Sequence, residues 1–356
     1  MPLLKGIDSA KESLEIVIFR FDQKEIESAL AKAVSRGVRV RALIANTNRS
    51  GELNLRKLEL RLLAAGVTVA RTGDDLLRYH GKLMVVDHRE LYLLAFNLTH
   101  ADIEHSRSFG IITTSRDLVR EAESLIEADT MRHPYEPSVD RFVVSPVTAR
   151  KRLAEFIQGA RKQLVIYDPK ISDLPMIRLL EERARAGVDI RIIGKMTIGV
   201  DGLPCRKLAE MRLHTRTIVR DGLFVFVGSQ SLRTLELDAR REVGAIFRNS
   251  KIADALLRVF ENDWSKAEQP EQAARDEAHG PDKIARKVAK AVAKEIPPVA
   301  PMLDGVVRKV VGEENAVELN EEEVEEIVKG AVKEAVREAV KEVVEEVVES
   351  RQGRAW

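Results

Sequence analysis

The chain repeats itself, and a duplicated chain has few ways to fold. DSAKESLEIVIFRFDQKEIESALAKAVSRGVRVRALI (residues 8–44) and QGARKQLVIYDPKISDLPMIRLLEERARAGVDIRIIG (158–194) share one plan. Each runs through a short helix with an Ala-Lys/Arg pair, a β-rich strand, an amphipathic helix, a Gly-Val turn and a second strand. Ala10 matches Ala160 and Gly37 matches Gly187, an offset of 150 that shrinks to 134 at His80 and His214. The second copy therefore lacks 16 residues between its second strand and its histidine. Each copy closes on a helix, DLVREAESLIEADTMRHPY and KIADALLRVFENDW. Alternating strands and helices predict an α/β protein: two similar sandwich units, each a mixed sheet flanked by helices, packed about a pseudo-twofold axis. The units are expected at 1–138 and 139–265, followed by a linker at 266–281 and a helical tail at 282–356.

The shrinking offset points to the motifs it ends on. YHGKLMVVDHRELYLLAFNLT carries His80, Lys82 and Asp87, and LHTRTIVRDGLFVFVGSQSL carries His214, Arg216 and Asp221 at the same spacing. Residues i and i+2 of a strand share a face, so His80 points with Lys82 and His214 with Arg216. The aspartates lie across a bend from their histidines and are assigned a structural part, holding the turn or pairing with a cation. Pseudo-twofold packing would bring the two histidine motifs face to face. Two imidazoles and two cations at one spot suit a phosphodiester, whose charged oxygens Lys82 and Arg216 neutralise. Substitution at phosphorus needs a nucleophile and a proton donor, and histidine fills both roles near neutral pH. No carboxylate or His/Cys cluster has metal-ligand spacing, so no catalytic metal is expected.

The motifs H-x-K-x4-D and H-x-R-x4-D, each with a G-S-x-N-like element seven residues past the aspartate, resemble the duplicated HKD motif of the phospholipase D superfamily. The resemblance covers residues 4–264. It implies a phosphohistidine intermediate, a second histidine acting as acid and then base, no metal or cofactor, and transfer to water or an alcohol. It implies phosphate contacts from Lys82, Asn97, Arg216, Ser229 and Ser231. The first unit has Leu94 and Ala95 where the pattern has Gly and Ser; the second keeps Gly228 and Ser229 but has Arg216 for Lys and Ser231 for Asn. A carboxylate that orients each histidine is expected further along. Glu242, 28 residues past His214, is matched to that histidine; the equivalent place after His80 is Ser108, with Asp102 and Glu104 nearby but out of register. By resemblance His80 is the nucleophile and His214 the acid; an orienting Glu242 at His214 argues the reverse.

Composition narrows the substrate. Residues 1–265 hold 43 Lys and Arg against 36 Asp and Glu, and the remainder 15 against 21, so the net +1 joins a basic body to an acidic tail. That excess suits an anionic substrate without being a DNA-coating charge. Aromatics make up 4% of the chain and none is seen near the motifs, which counts against base stacking. Phospholipid headgroups are favoured over nucleic acid; an HKD-type endonuclease is one alternative, and a phosphate-binding interaction protein assembled through its tail is the other. The N-terminal stretch is too short and too charged for a signal peptide and no apolar run reaches about 20 residues, which suggests a cytoplasmic protein with peripheral membrane contact through the basic helix KIARKVAKAVAKEI. The acidic pattern AVKEAVREAVKEVVEEVV suggests a homo-oligomer through the last helix. Lone Cys205 excludes an internal disulfide, and Arg107 and Arg233 are read as solvated.

Overall fold

The strand Ser13–Ile18 (β1) reads SLEIVI with every residue buried, which requires cover on both faces of its sheet. The computed structural model describes residues 1–46, 52–73, 78–200, 203–208 and 210–267. The helical tail, its oligomer contact and nearly all of the linker lie outside the described residues.

The first unit runs α1 (Pro2–Ser9), β1, α2 (Lys24–Ser35), β2 (Arg39–Ile44), α3 (Glu52–Ala64), β3 (Thr68–Arg71), β4 (Arg78–Tyr79), β5 (Leu83–Val86), β6 (Glu90–Leu94), α4 (His100–Glu104), β7 (Ser106–Arg107), β8 (Gly110–Thr113) and α5 (Arg116–Met131). After β9 (Phe142–Val144), the second unit repeats that order: α6 (Ala149–Gln158), β10 (Gln163–Ile171), α7 (Leu174–Arg185), β11 (Asp189–Met196), β12 (Cys205–Arg206), β13 (Arg212–Leu213), β14 (Arg216–Arg220), β15 (Phe224–Gly228), α8 (Thr234–Asp238), β16 (Arg240–Arg241), β17 (Val243–Arg248) and α9 (Ser250–Lys266). Among the described residues, α3 of the first unit has no counterpart in the second, and its 13 residues make up most of the 16 that the second copy lacks.

Two mixed sheets result, ordered β3-β2-β1-β5-β6-β8 and β12-β11-β10-β14-β15-β17-β9. In each, a parallel pair (Ser13↔Arg39 onward; Gln163↔Asp189 onward) adjoins antiparallel hairpin strands. The helix row Ile26, Ala29, Leu30, Ala33 buries one face of α2 on the outer side of the first sheet, as Met176, Ile177, Leu179 and Leu180 of α7 do on the second. Gly37 and Gly187 both turn at φ +88°, a left-handed conformation that glycine adopts without Cβ strain, so the matched glycines end matched helices. The inner faces share cores that join the units: Phe142, Val144 and Val243 pack with Val17, Leu83 and Leu125, while Ala95 packs with Val165 and Val227.

Two short parallel pairs stitch the units together. β4 lies on β16 (Tyr79↔Arg241) and β13 on β7 (Leu213↔Arg107), one pair being the symmetry mate of the other. Each is clamped by an ion pair across the units. Arg107 grips Asp263 of α9 with two 2.7 Å bonds, and Arg241 donates to Asp129 of α5 at 2.9 Å. Tyr79 and Tyr167 donate to the same two carboxylates. Arg107 is thus engaged in the interior rather than solvated. Replacing Arg241 by alanine removes a buried guanidinium from buried Asp129 and is expected to cost about 3 kcal/mol in urea unfolding; a loss below about 1 kcal/mol would show that the clamp is not structural.

Candidate active site

The stitches position the histidines. His80 directly follows β4 and donates its backbone N–H to Arg241 at 2.7 Å; His214 follows β13 and donates to Arg107 at 3.1 Å. Two residues on, each cation folds back over its own histidine: Lys82 Nζ donates to the His80 carbonyl at 2.5 Å and Arg216 Nη1 to the His214 carbonyl at 2.6 Å. Across each hairpin the aspartate gathers backbone amides. Asp87 accepts from Lys11, Glu12 and Ser13, and Asp221 from Arg161, Lys162 and Gln163. Burial pushes these carboxyls up, but the converging N–H groups win and hold both below the ordinary range.

The orienting groups are exchanged between units, which corrects the matching of Glu242 to His214. Glu242 follows β16, the partner of β4, and its Oε2 stands 2.7 Å from His80 Nδ1. Ser108 follows β7 beside His214, not His80, and its hydroxyl donates to the Asp102 carbonyl. Asp102, out of register in the sequence, is the group the first unit presents to His214: Oδ2 lies 3.3 Å from Nε2, without a hydrogen bond, while Oδ1 receives Arg212 at 2.9 Å. Arg212 Nη2 stands 2.6 Å from His214 Nδ1. No sequence signal marked Arg212, which precedes the motif on the two-residue strand β13.

These contacts give the two rings opposite tautomers. A carboxylate only accepts, so His80 carries its proton on Nδ1 and presents a lone pair at Nε2. A guanidinium only donates, so His214 accepts at Nδ1 and carries its proton on Nε2. The pair is chemically polarised: His80 offers a lone pair at Nε2, whereas His214 becomes an acid only when its ring also takes a proton at Nδ1, where Arg212 now donates.

Charge in the site is unbalanced. His80, Lys82, His214 and Glu242 are all buried. Burial first, then Lys82 and Arg216, hold the His80 imidazole well below 6.5; burial, then Arg216, Lys82 and Arg212, do the same to His214. Burial brings the Lys82 ammonium down from 10.5 to about 7 and raises the Glu242 carboxyl against the pull of Lys82 and Arg216. An anion between the cations restores the balance. Arg212→Leu removes a cation from His214 and so raises its pKa. Because a general acid must be protonated, the alkaline limb of the pH–rate profile is expected to move up; an unmoved limb separates Arg212 from His214 titration.

The remaining expected contacts divide. Asn97 donates to Asp102 at 2.6 Å, and its Oδ1 is buried without a partner among the described residues, as is His214 Nε2. Ser231 accepts from Arg216 Nε at 3.1 Å. Ser229 is fully buried; its hydroxyl is engaged by Val243 of the next strand and also acts on the Glu242 carboxyl, which it pulls down, so it supports the carboxylate at His80. Arg233 pairs with buried Glu236 at 3.0 Å, which also takes Arg240 and the Ser231 amide. An aromatic does stand at the site, contrary to expectation: Phe19 meets the His80 ring edge-on at 4.6 Å, with Lys82 5.3 Å from its centroid. It is 4% exposed, so it walls the histidine and offers no face to a base. The sequence also overlooked one group with metal-ligand proximity, exposed His100, Glu104 and His105, whose ligand atoms lie within 4.8 Å of one another on and after α4.

Comparison with known proteins gives the chain's family and fold relatives. A family model described as "Cardiolipin synthase, PLD-like domain" matches residues 3–130 and again 153–264. Mitochondrial cardiolipin hydrolases of Danio rerio and Mus musculus are each 31% identical over 118 residues, 33% of this chain; it spans about half the length of these curated relatives (51% and 52%). In fold, the chain resembles the crystal structure of polyphosphate kinase from Porphyromonas gingivalis (TM-score 0.61, 18% identity, 73% of this chain and 47% of that one). It also resembles phosphatidylserine synthase from Haemophilus influenzae (TM-score 0.56, 10% identity, 74% and 82%).

Proposed function

Since the chain belongs to the phospholipase D superfamily, with a cardiolipin synthase, phospholipase D-like domain, we propose that it cleaves a phosphodiester through a phosphohistidine on His80. The observation that carries this reading is the opposite partners of the two rings at Nδ1, the Glu242 carboxylate on His80 and the Arg212 guanidinium on His214. His80 Nε2 attacks phosphorus and forms a P–N bond, and the leaving oxygen takes the proton from His214 Nε2. His214 acts as acid in its imidazolium form: Nδ1 takes a proton as Arg212 leaves that nitrogen while keeping Asp102, and the phosphodiester's charge, which offsets Lys82 and Arg216, favours this form. Water or an alcohol then gives its proton to His214 and attacks phosphorus; the P–N bond breaks and His80 is restored. Lys82 and Arg216 neutralise the charge that grows on the non-bridging oxygens.

Phospholipid headgroups are the proposed substrate. Support comes from the description of the family model and from the names of the relatives, cardiolipin hydrolase and phosphatidylserine synthase, together with the buried position of Phe19. The described helices include none long and apolar enough to cross a membrane, so the lipid is expected to be met from the surface. The test is incubation with phosphate-labelled phosphatidylglycerol and, separately, with single- and double-stranded DNA, all in chelator. An acid-labile label on the protein, absent in His80→Asn, is expected from the lipid. Cleavage of DNA alone moves the substrate to nucleic acid, and no labelled protein with any of them overturns the catalytic reading.

A further inference from the structure

The helix that breaks the internal symmetry also builds a cavity. In the second unit the described residues between β11 and β12 form no helix, whereas in the first α3 lies between β2 and β3, beside α2. Leu55, Leu58 and Leu62 of α3 are buried in the outer core, and Arg61 ties α3 to Glu27 of α2 at 2.8 Å. Between the two helices runs a groove of about 850 Å³, within the size range of small-molecule sites, with an apolar floor of Phe21, Ala31, Leu55 and Leu58.

The groove is apolar below and cationic above. Lys24 and Lys57 line it, and among the described residues neither makes an ion pair. Its two carboxylates are engaged, Glu27 by Arg61 and Asp22 by the His100 amide at 2.7 Å. The groove also adjoins the catalytic loops. Phe21 bridges to Leu98, Thr99 lines the groove two residues past Asn97, and Phe19, two residues before Phe21, packs on His80. Through Phe21 and Thr99 the groove thus adjoins the loops that carry Phe19 and Asn97, and among the described residues the second unit has no helix to form its like.

We propose that the groove between α2 and α3 binds the acyl chain of an anionic lipid whose phosphate lies at the histidines, with the Lys24 and Lys57 ammonium groups in the groove adding long-range attraction for the anion. The duplicated site is thereby made unsymmetrical: α3 selects which way round a lipid lies across the two equivalent motifs. The inference rests on the phospholipid reading for the identity of the ligand, but binding is measured without turnover.

The experiment uses the full chain as His80→Asn and a fluorescent lysophosphatidylglycerol below its micelle concentration. Saturable binding of one molecule per chain is expected. Ser28→Trp at the exposed rim and Ala31→Leu on the floor are each expected to weaken it at least tenfold, and Lys24→Glu with Lys57→Glu to do the same. Glycerophosphate is not expected to compete. Circular dichroism confirms that the variants are folded, and Ser28, Lys24 and Lys57 are exposed positions. No saturable binding, or binding that all these variants leave unchanged, overturns the proposal. Groove-dependent binding by a protein that forms no phosphohistidine with any substrate leaves the groove standing and removes the catalytic reading instead.

Discussion

Replacing Glu242 by glutamine is expected to lower turnover about ten-thousand-fold, the size of loss seen when a histidine-orienting carboxylate becomes an amide. The loss arises at His80, although Glu242 lies 28 residues past the other histidine. The carboxylate at 2.7 Å fixes the proton on Nδ1 and stabilises the ring as positive charge develops during attack. A glutamine amide also presents N–H groups to Nδ1, which favours the tautomer whose Nε2 carries a proton and has no lone pair to offer. A p-nitrophenyl phosphodiester separates the two histidines, because its leaving group departs without an acid. With that substrate His214→Asn is expected to release a stoichiometric burst of nitrophenol, whereas Glu242→Gln and His80→Asn give none. A full burst from Glu242→Gln would return the carboxylate to His214 and undo the exchange between units.

That exchange marks where sequence reasoning stops. The repeat offset placed Glu242 and Ser108 at equivalent positions, and they are equivalent: each follows one of the two stitching strands. An offset relates copies but does not say which copy receives a side chain. β4, β7, β13 and β16 have two residues each, too few to show a period, so nothing in the sequence announces that they pair across the units. Asp102 escaped for a related reason. Its role comes from α4, a five-residue helix whose Thr99 cap aims the carboxylate at Asn97, Arg212 and His214. The mixed sheets, by contrast, were legible, since the alternation and its repetition state them directly. The 16-residue gap was legible as a number but not as a helix with a groove beneath it.

Lys82→Met is expected to abolish turnover and, at the same time, to make the ligand-free protein more stable. Lys82 is 3% exposed, and the fall of its pKa from 10.5 to about 7 corresponds to roughly 5 kcal/mol of disfavoured charge. Burial is the largest cause; Glu242, Asp102 and Glu236 relieve it only in part, and Arg216 adds to it. Against this stands the hydrogen bond to the His80 carbonyl, about 1.5–3 kcal/mol for a charged donor. Desolvation wins, so methionine, of similar length and apolar, is expected to add about 1–3 kcal/mol, or about 3–8 °C in Tm. The pH dependence follows the same sign. A lysine depressed in the folded state leaves the unfolded chain holding more protons between about pH 7 and 10.5, so stability from this residue rises with pH through that window and is lowest below it. The rise attributable to Lys82 is expected to vanish in the Met variant. A phosphodiester reverses the balance by supplying the anion that Lys82 lacks, so ligand is expected to stabilise the wild-type chain more than the variant. A Lys82→Met protein less stable than wild type without ligand would mean that the ammonium is fully compensated by its own carboxylates, and that the site is not held open for an anion.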